Sequence, residues 1–108
     1  RRPARAAGAG SSGADGLLCA ACGADVARMG CCEGSQMRPG GMYVGRFSEV
    51  QGVEASGPAS SEDSFFPGRT WRMVFCSCGA HVGWLYEGAG EAPFWGLLWA
   101  RLEKKNPR

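Results

Sequence analysis

Residues 60–86 read SSEDSFFPGRTWRMVFCSCGAHVGWLY, and this stretch decides the fold. Thr70–Phe75 alternates Trp71, Met73 and Phe75 with Arg72 and Val74, the period of a β-strand. His81–Tyr86 is a second strand, with Val82, Trp84 and Tyr86 expected on one face and Leu85 on the other. Between them lie Cys76 and Cys78, closed by Gly79, at what should be the tip of a hairpin. Two cysteines at a hairpin tip need partners. Cys19-x-x-Cys22-Gly23, far upstream, supplies them.

Cys-x-x-Cys followed by Gly is the tight knuckle that turns two sulfurs toward one tetrahedral ion about 2.3 Å away. A disulfide across that spacing would be a redox motif, but the thioredoxin-like βαβ setting is missing. Six cysteines also admit a secreted disulfide framework; the knuckle spacing argues against it. The expected ligands are Cys19, Cys22, Cys76 and Cys78 around one structural Zn2+. Cys76-Ser77-Cys78 is one residue shorter than the usual pair, so a bend at Gly79 must bring both sulfurs to one ion. His81 is expected to hydrogen-bond the backbone beside the site, with replacement of one sulfur as the alternative. Cys31 and Cys32 are adjacent, a poor arrangement for one ion, and are read as spare thiols. A closed four-sulfur centre keeps no position for water, so it should fold the chain and not catalyse. Thiolate ligation favours a reducing compartment, cytoplasmic or nuclear.

Working outward, residues 1–16 are expected to be a disordered tail, 17–103 one zinc-binding domain and 104–108 a second tail. A chain of 108 residues has little room for more. Eighteen Gly and six Pro, mostly between apolar runs, fit a turn-rich all-β domain. Asp25–Met29 should be a strand and Gly30–Gly34 a loop. Met42, Val44 and Phe47 mark another strand, which Val50–Val53 continues. Residues 54–64 and Gly88–Pro93 should be loops. Phe94–Leu102 can be a buried strand or a short helix, and Gly96 with the aromatics favours the strand. The chain lacks an initiator Met, as a piece cut from a longer protein would, and shows no secretory h-region. No 18-residue apolar run exists, which excludes a helical membrane span. Seven of the twelve cations sit in RRPAR and RLEKKNPR at the ends, so the net charge of +2 leaves no basic stripe for nucleic acid.

Trp71, Trp84, Phe65 and Tyr86 gather around the second cysteine pair. Large rings usually fill cores, and that is the plainer reading. Phe65-Phe66-Pro67-Gly68, however, puts two large apolar groups on a loop, with Glu62 and Asp63 just before them. This points to a ligand pocket.

Leu18-Cys19-x-x-Cys22, Ser64-Phe65-Phe66-Pro67-Gly68-x-x-Trp71, Cys76…Cys78-x-x-His81-x-Gly83-Trp84 and Phe94-Trp95-Gly96-Leu97 together resemble the CULT domain, a thalidomide-binding domain family. The resemblance spans about residues 17–102. It implies a β-tent, two antiparallel sheets pinned by a four-cysteine zinc. It also implies an aromatic cage for a glutarimide or similar cyclic imide, such as the cyclised C-terminal residue of a damaged protein. Carried over, Trp71 and Trp84 are the second and third walls, Tyr86 the floor, and Phe65 stands where the family has its first Trp. Asp63 falls where the family often has His, whose backbone carbonyl accepts from the imide. Arg38-Pro39-Gly40-Gly41 replaces an Asn-Pro-x-Gly loop and puts a charge where an amide would be. A link to the ubiquitin pathway follows by analogy alone.

Two other functions are open. A ring cage also suits a cation, which would make the chain a methyl-ammonium (methyl-lysine) reader with Glu62 or Asp63 as counter-charge. Methionine sulfoxide reductases share a tent-like fold and a four-cysteine zinc. Here only Cys31 and Cys32 could serve as nucleophile, without a visible base, so the chain is expected not to be an enzyme. It should act as a monomer, with a small imide or a modified protein C-terminus as partner.

Overall fold

A computed structural model describes residues 15–38, 40–61, 68–88 and 90–105. These residues form the expected all-β fold of two antiparallel sheets. The smaller has three strands, β1 (Gly16–Cys19), β2 (Asp25–Arg28) and β9 (Leu102–Lys104), in the order β9-β1-β2. The larger holds β3 (Cys32–Arg38), β4 (Met42–Phe47), β5 (Val53–Ser60), β6 (Arg69–Cys76), β7 (His81–Gly88) and β8 (Glu91–Leu98), in the order β3-β4-β8-β7-β6-β5. The chain changes sheet twice, each time through a single 3-10 turn: Met29–Cys31 between β2 and β3, and Trp99–Arg101 between β8 and β9. No helix among the described residues is long and apolar enough to cross a membrane.

The core lies between the sheets. Leu17, Cys19, Val26 and Ala27 of the small sheet pack against Phe47, Val74, Cys76, Val82 and Leu97 of the large one. Val74, Gly83 and Leu97 are cross-strand partners on this inner face. A bulge between Val74 and Phe75 leaves Val82 as an extra residue. Val82 therefore joins the core rather than sharing a face with Trp84 and Tyr86, which corrects the alternation expected from the sequence.

The opposite face of the large sheet carries Met73 against Trp84 and Gly96, and Trp71 against Tyr86 and Phe94. Gly96 is required there. A Cβ would lie 2.9 Å from both the Tyr86 ring and Val44. The Gly of the Phe-Trp-Gly-Leu motif is thus the gap that lets Tyr86 lie flat across β8.

Several expected loops are strands. Residues 54–60 form most of β5, β3 starts at Cys32, and β8 starts at Glu91. Both β3 and β5 are edge strands with largely exposed residues, so no apolar alternation marks them. Pro58 fits in β5 because the ladder to β6 is interrupted between Ser56 and Ser60. Pro93 fits in β8 because pairing with β4 covers only Trp95–Leu98. Val50 lies outside any strand, and the apolar run 94–102 is split by the turn at Trp99.

Candidate functional site

Two hairpin turns of the same design face each other across the sheets. In the first, the Cys19 N–H donates to Ala24 O at 2.9 Å and the Gly23 N–H to Cys19 O at 2.7 Å, with Gly23 at φ +81°. In the second, the Cys76 N–H donates to Ala80 O at 2.9 Å and the Gly79 N–H to Cys76 O at 2.8 Å, with Gly79 at φ +96°. The second is the first with one residue removed. Gly79 absorbs the tighter bend, and the short spacing Cys76-Ser77-Cys78 does not spoil convergence.

The four sulfurs of Cys19, Cys22, Cys76 and Cys78 lie within 4.8 Å of one another. Cys19 Sγ is 3.8 Å from Cys78 Sγ, and Cys22 Sγ is 3.6 Å from Cys76 Sγ. A tetrahedron with bonds of about 2.3 Å has edges of about 3.8 Å, so the donor set fits one ion of that size. Each sheet contributes two ligands, one buried (Cys19, Cys76) and one exposed (Cys22, Cys78). Protons are shared unequally. The Cys78 amide and the thiols of Cys22, Cys19 and Cys78 draw the Cys76 thiol down to about 7 against its burial. Cys22 feels the Ala24 amide lowering it, yet the Cys76, Cys78 and Cys19 thiols and desolvation push it up to about 12. A cation bound among the four sulfurs would displace these thiol protons.

His81 does not join the cluster. Its Nε2–H donates to Gly83 O at 2.9 Å, while the ring meets Trp84 edge-on at 5.0 Å and Phe75 at 5.4 Å. Cys31 and Cys32 stand apart as well. Arg28 Nη2 approaches Cys31 Sγ at 3.7 Å, and the Cys32 thiol points to Gly34 O at 3.4 Å.

Of the expected ligand residues, Trp71 and Trp84 are half-buried on the outer face of β6 and β7. Their pairing, Trp71 with Tyr86 and Met73 with Trp84, makes them diagonal neighbours, within reach for indoles. Tyr86 is 1% exposed and stacks on Phe94 at 5.1 Å, so it belongs to the packed layer beneath. Asp63 and Phe65, together with Glu62, lie outside the described residues.

Of the guanidiniums on this face, the sequence pointed to Arg38, in the loop that replaces Asn-Pro-x-Gly, and missed Arg46 and Arg69. Arg38 lies 4.1 Å over the Trp84 ring and Arg46 4.0 Å over Phe94. Arg69 is 5% exposed, sits 4.9 Å from Phe94, and donates to the carbonyls of Tyr86 (3.5 Å) and Ala92 (3.2 Å) and to Glu91 Oε1 (2.6 Å). Alternation along β6 places Arg69 on the Trp71 face, and that was the available signal.

No protein-family model matches the chain. Two curated relatives do. Cereblon of Xenopus tropicalis is 36% identical over 56 residues, covering 47% of this chain and 12% of that protein. Cereblon of Gallus gallus is 35% identical over 60 residues, covering 51% and 14%. The chain thus spans a small part of the relatives it matches, and its likeness to cereblon agrees with the CULT resemblance carried by the motifs.

Proposed function

We propose that this cereblon-like domain is a zinc-stapled binding module that captures a cyclic imide between aromatic rings. The ion would be Zn2+, held by Cys19, Cys22, Cys76 and Cys78; a tetrathiolate centre supplies folding energy and no open coordination position. Such a centre suits a reducing compartment, cytoplasmic or nuclear.

The observation that carries the reading is the pair Trp71 and Trp84. They are half-buried and diagonal across adjacent strands on the outer face of the large sheet. Indole faces take the CH2 groups of a flat ring, while its polar edge is left to backbone donors and acceptors. Tyr86 on Phe94 supports the floor from below. Phe65 completes the walls in this proposal with less area than a Trp, and Asp63 offers its backbone carbonyl. The ligand is a small imide or the cyclised C-terminus of a protein, and the chain works as a monomer without catalysis. A methyl-ammonium ligand is disfavoured, because guanidiniums already lie over Trp84 and Phe94.

Titration with glutarimide, succinimide and uracil, followed by tryptophan emission, tests the proposal against a trimethyl-lysine peptide. Trp84→Ala should weaken glutarimide binding by about 30-fold or more, as loss of about 2 kcal/mol at an aromatic anchor would. Metal content and fold should persist. Unchanged affinity in that variant, or quenching by the methylated peptide alone, would overturn the cage.

A further inference from the structure

We propose that Arg38 makes the ligand face selective for acidic imides, in particular peptides whose terminal cyclic imide is preceded by Asp or Glu. This rests on the imide reading above and adds the chemistry of the neighbouring group.

Arg38 closes β3, and β4 and β8 lie between that strand and β7. Its guanidinium nevertheless lies 4.1 Å from the centroid of Trp84, a proposed wall. A guanidinium stays charged in any protein environment, and its donors lie in its plane. Stacking uses its flat face; the N–H edges are what meet a carboxylate, with bidentate geometry available. The sign of the charge is shared by its surroundings, since Arg46 and Arg69 stand over Phe94 on the same face. Arg69 is answered by Glu91, which is two-thirds exposed. The charge of Arg38 also reaches its neighbours. It adds to the lowering of His81, where burial is the larger cause, and it opposes the burial that raises Tyr86. Among the described residues, the guanidiniums of Arg38 and Arg46 thus set a positive field beside Trp84 and Phe94. A neutral imide does not sense the sign of that field. An adjoining carboxylate is attracted to it, and an adjoining ammonium is repelled.

The zinc-loaded chain is titrated with two peptides that end in the same cyclic imide and differ in the preceding residue, Asp or Lys, with neutral glutarimide alongside. The Asp peptide should bind about five- to tenfold more tightly than the Lys peptide in low salt, the range of a partly solvated charge-assisted contact. Half-molar salt should shrink that ratio. In Arg38→Gln the ratio should fall to near one, and in Arg38→Lys it should largely return. Equal affinities in the parent chain, or a ratio that survives Arg38→Gln, would overturn the role of Arg38 while glutarimide binding still upheld the cage. Should glutarimide not bind, the cage falls. The same acidic peptide without its imide then decides for Arg38: quenching lost in Arg38→Gln keeps the selectivity, and no quenching ends it.

Discussion

At the scale of single residues, His81 follows the second cysteine pair and packs its ring on Phe75 and Trp84. Burial is the main force holding its imidazole below the ordinary value of 6.5. The Gly83 carbonyl pulls the other way, and Arg101 and Arg38 lower it further. The folded chain therefore binds this proton less readily than the unfolded chain does. Stability from His81 is complete above about pH 6.5 and declines as pH falls below that toward the folded value. Urea midpoints at pH 7.5 and 5.5 should drop further for the parent chain than for His81→Gln; thiolate protonation acts on both and cancels. An equal drop would show that His81 is not responsible. At this scale the sequence was informative where spacing speaks, as with four cysteines and a His three positions beyond the last. It was silent where a partner is remote. Arg69 follows a Pro-Gly pair like any surface cation, and only Glu91 and two carbonyls on β7 and β8 explain its burial. Tyr86 had the right type for a pocket floor, but pairing with Phe94 on β8 set its depth.

At the scale of elements, Arg69 joins β6, β7 and β8 at the end of the sheet away from the cysteines. Replacing it with Met leaves the Tyr86 carbonyl, in a buried bond, and the Ala92 carbonyl, in a part-buried one, without this donor, a loss of about 1–3 kcal/mol that a urea midpoint should register. Glu91→Gln should cost less, under about 1 kcal/mol, because that carboxylate is 67% exposed. Metal stoichiometry should stay unchanged in both. A larger effect from Glu91 than from Arg69 would mean that the ion pair, not the carbonyl bonds, holds these strands. The legible elements were those with one buried face, Thr70–Phe75 and His81–Tyr86. The edge strands β3 and β5 were illegible because residues such as Glu54, Ser56 and Gly57 are exposed on both faces. Their place is set by backbone pairing alone, which leaves no hydropathy pattern.

At the scale of the whole molecule, two sheets share one thin core and are tied at the thiol cluster. Binding of a structural zinc to such a set releases roughly 10–16 kcal/mol, comparable to or above the stability of a small domain. Chelation, or Cys19→Ser, should therefore abolish cooperative unfolding. Cys31→Ser with Cys32→Ser should retain one zinc per chain. Loss of metal in that double variant would move the ligands. The cysteine spacing announced this tie in advance; the two 3-10 crossings that carry the chain between sheets have no comparable signature.

The three-stranded sheet has an order with a temporal meaning. Leu102 pairs with Cys19 and Lys104 with Leu17, so the first strand lies between its neighbour β2 and the last strand. On a ribosome, Cys19 and Cys22 emerge long before Cys76, Cys78 and residues 102–104 exist. The Cys19 and Cys22 thiols must wait for partners 59 and 54 residues further on, because contacts this distant in sequence close late. A nascent chain interrupted before residue 76 therefore presents the Cys19 and Cys22 thiols without the partners that complete the cluster.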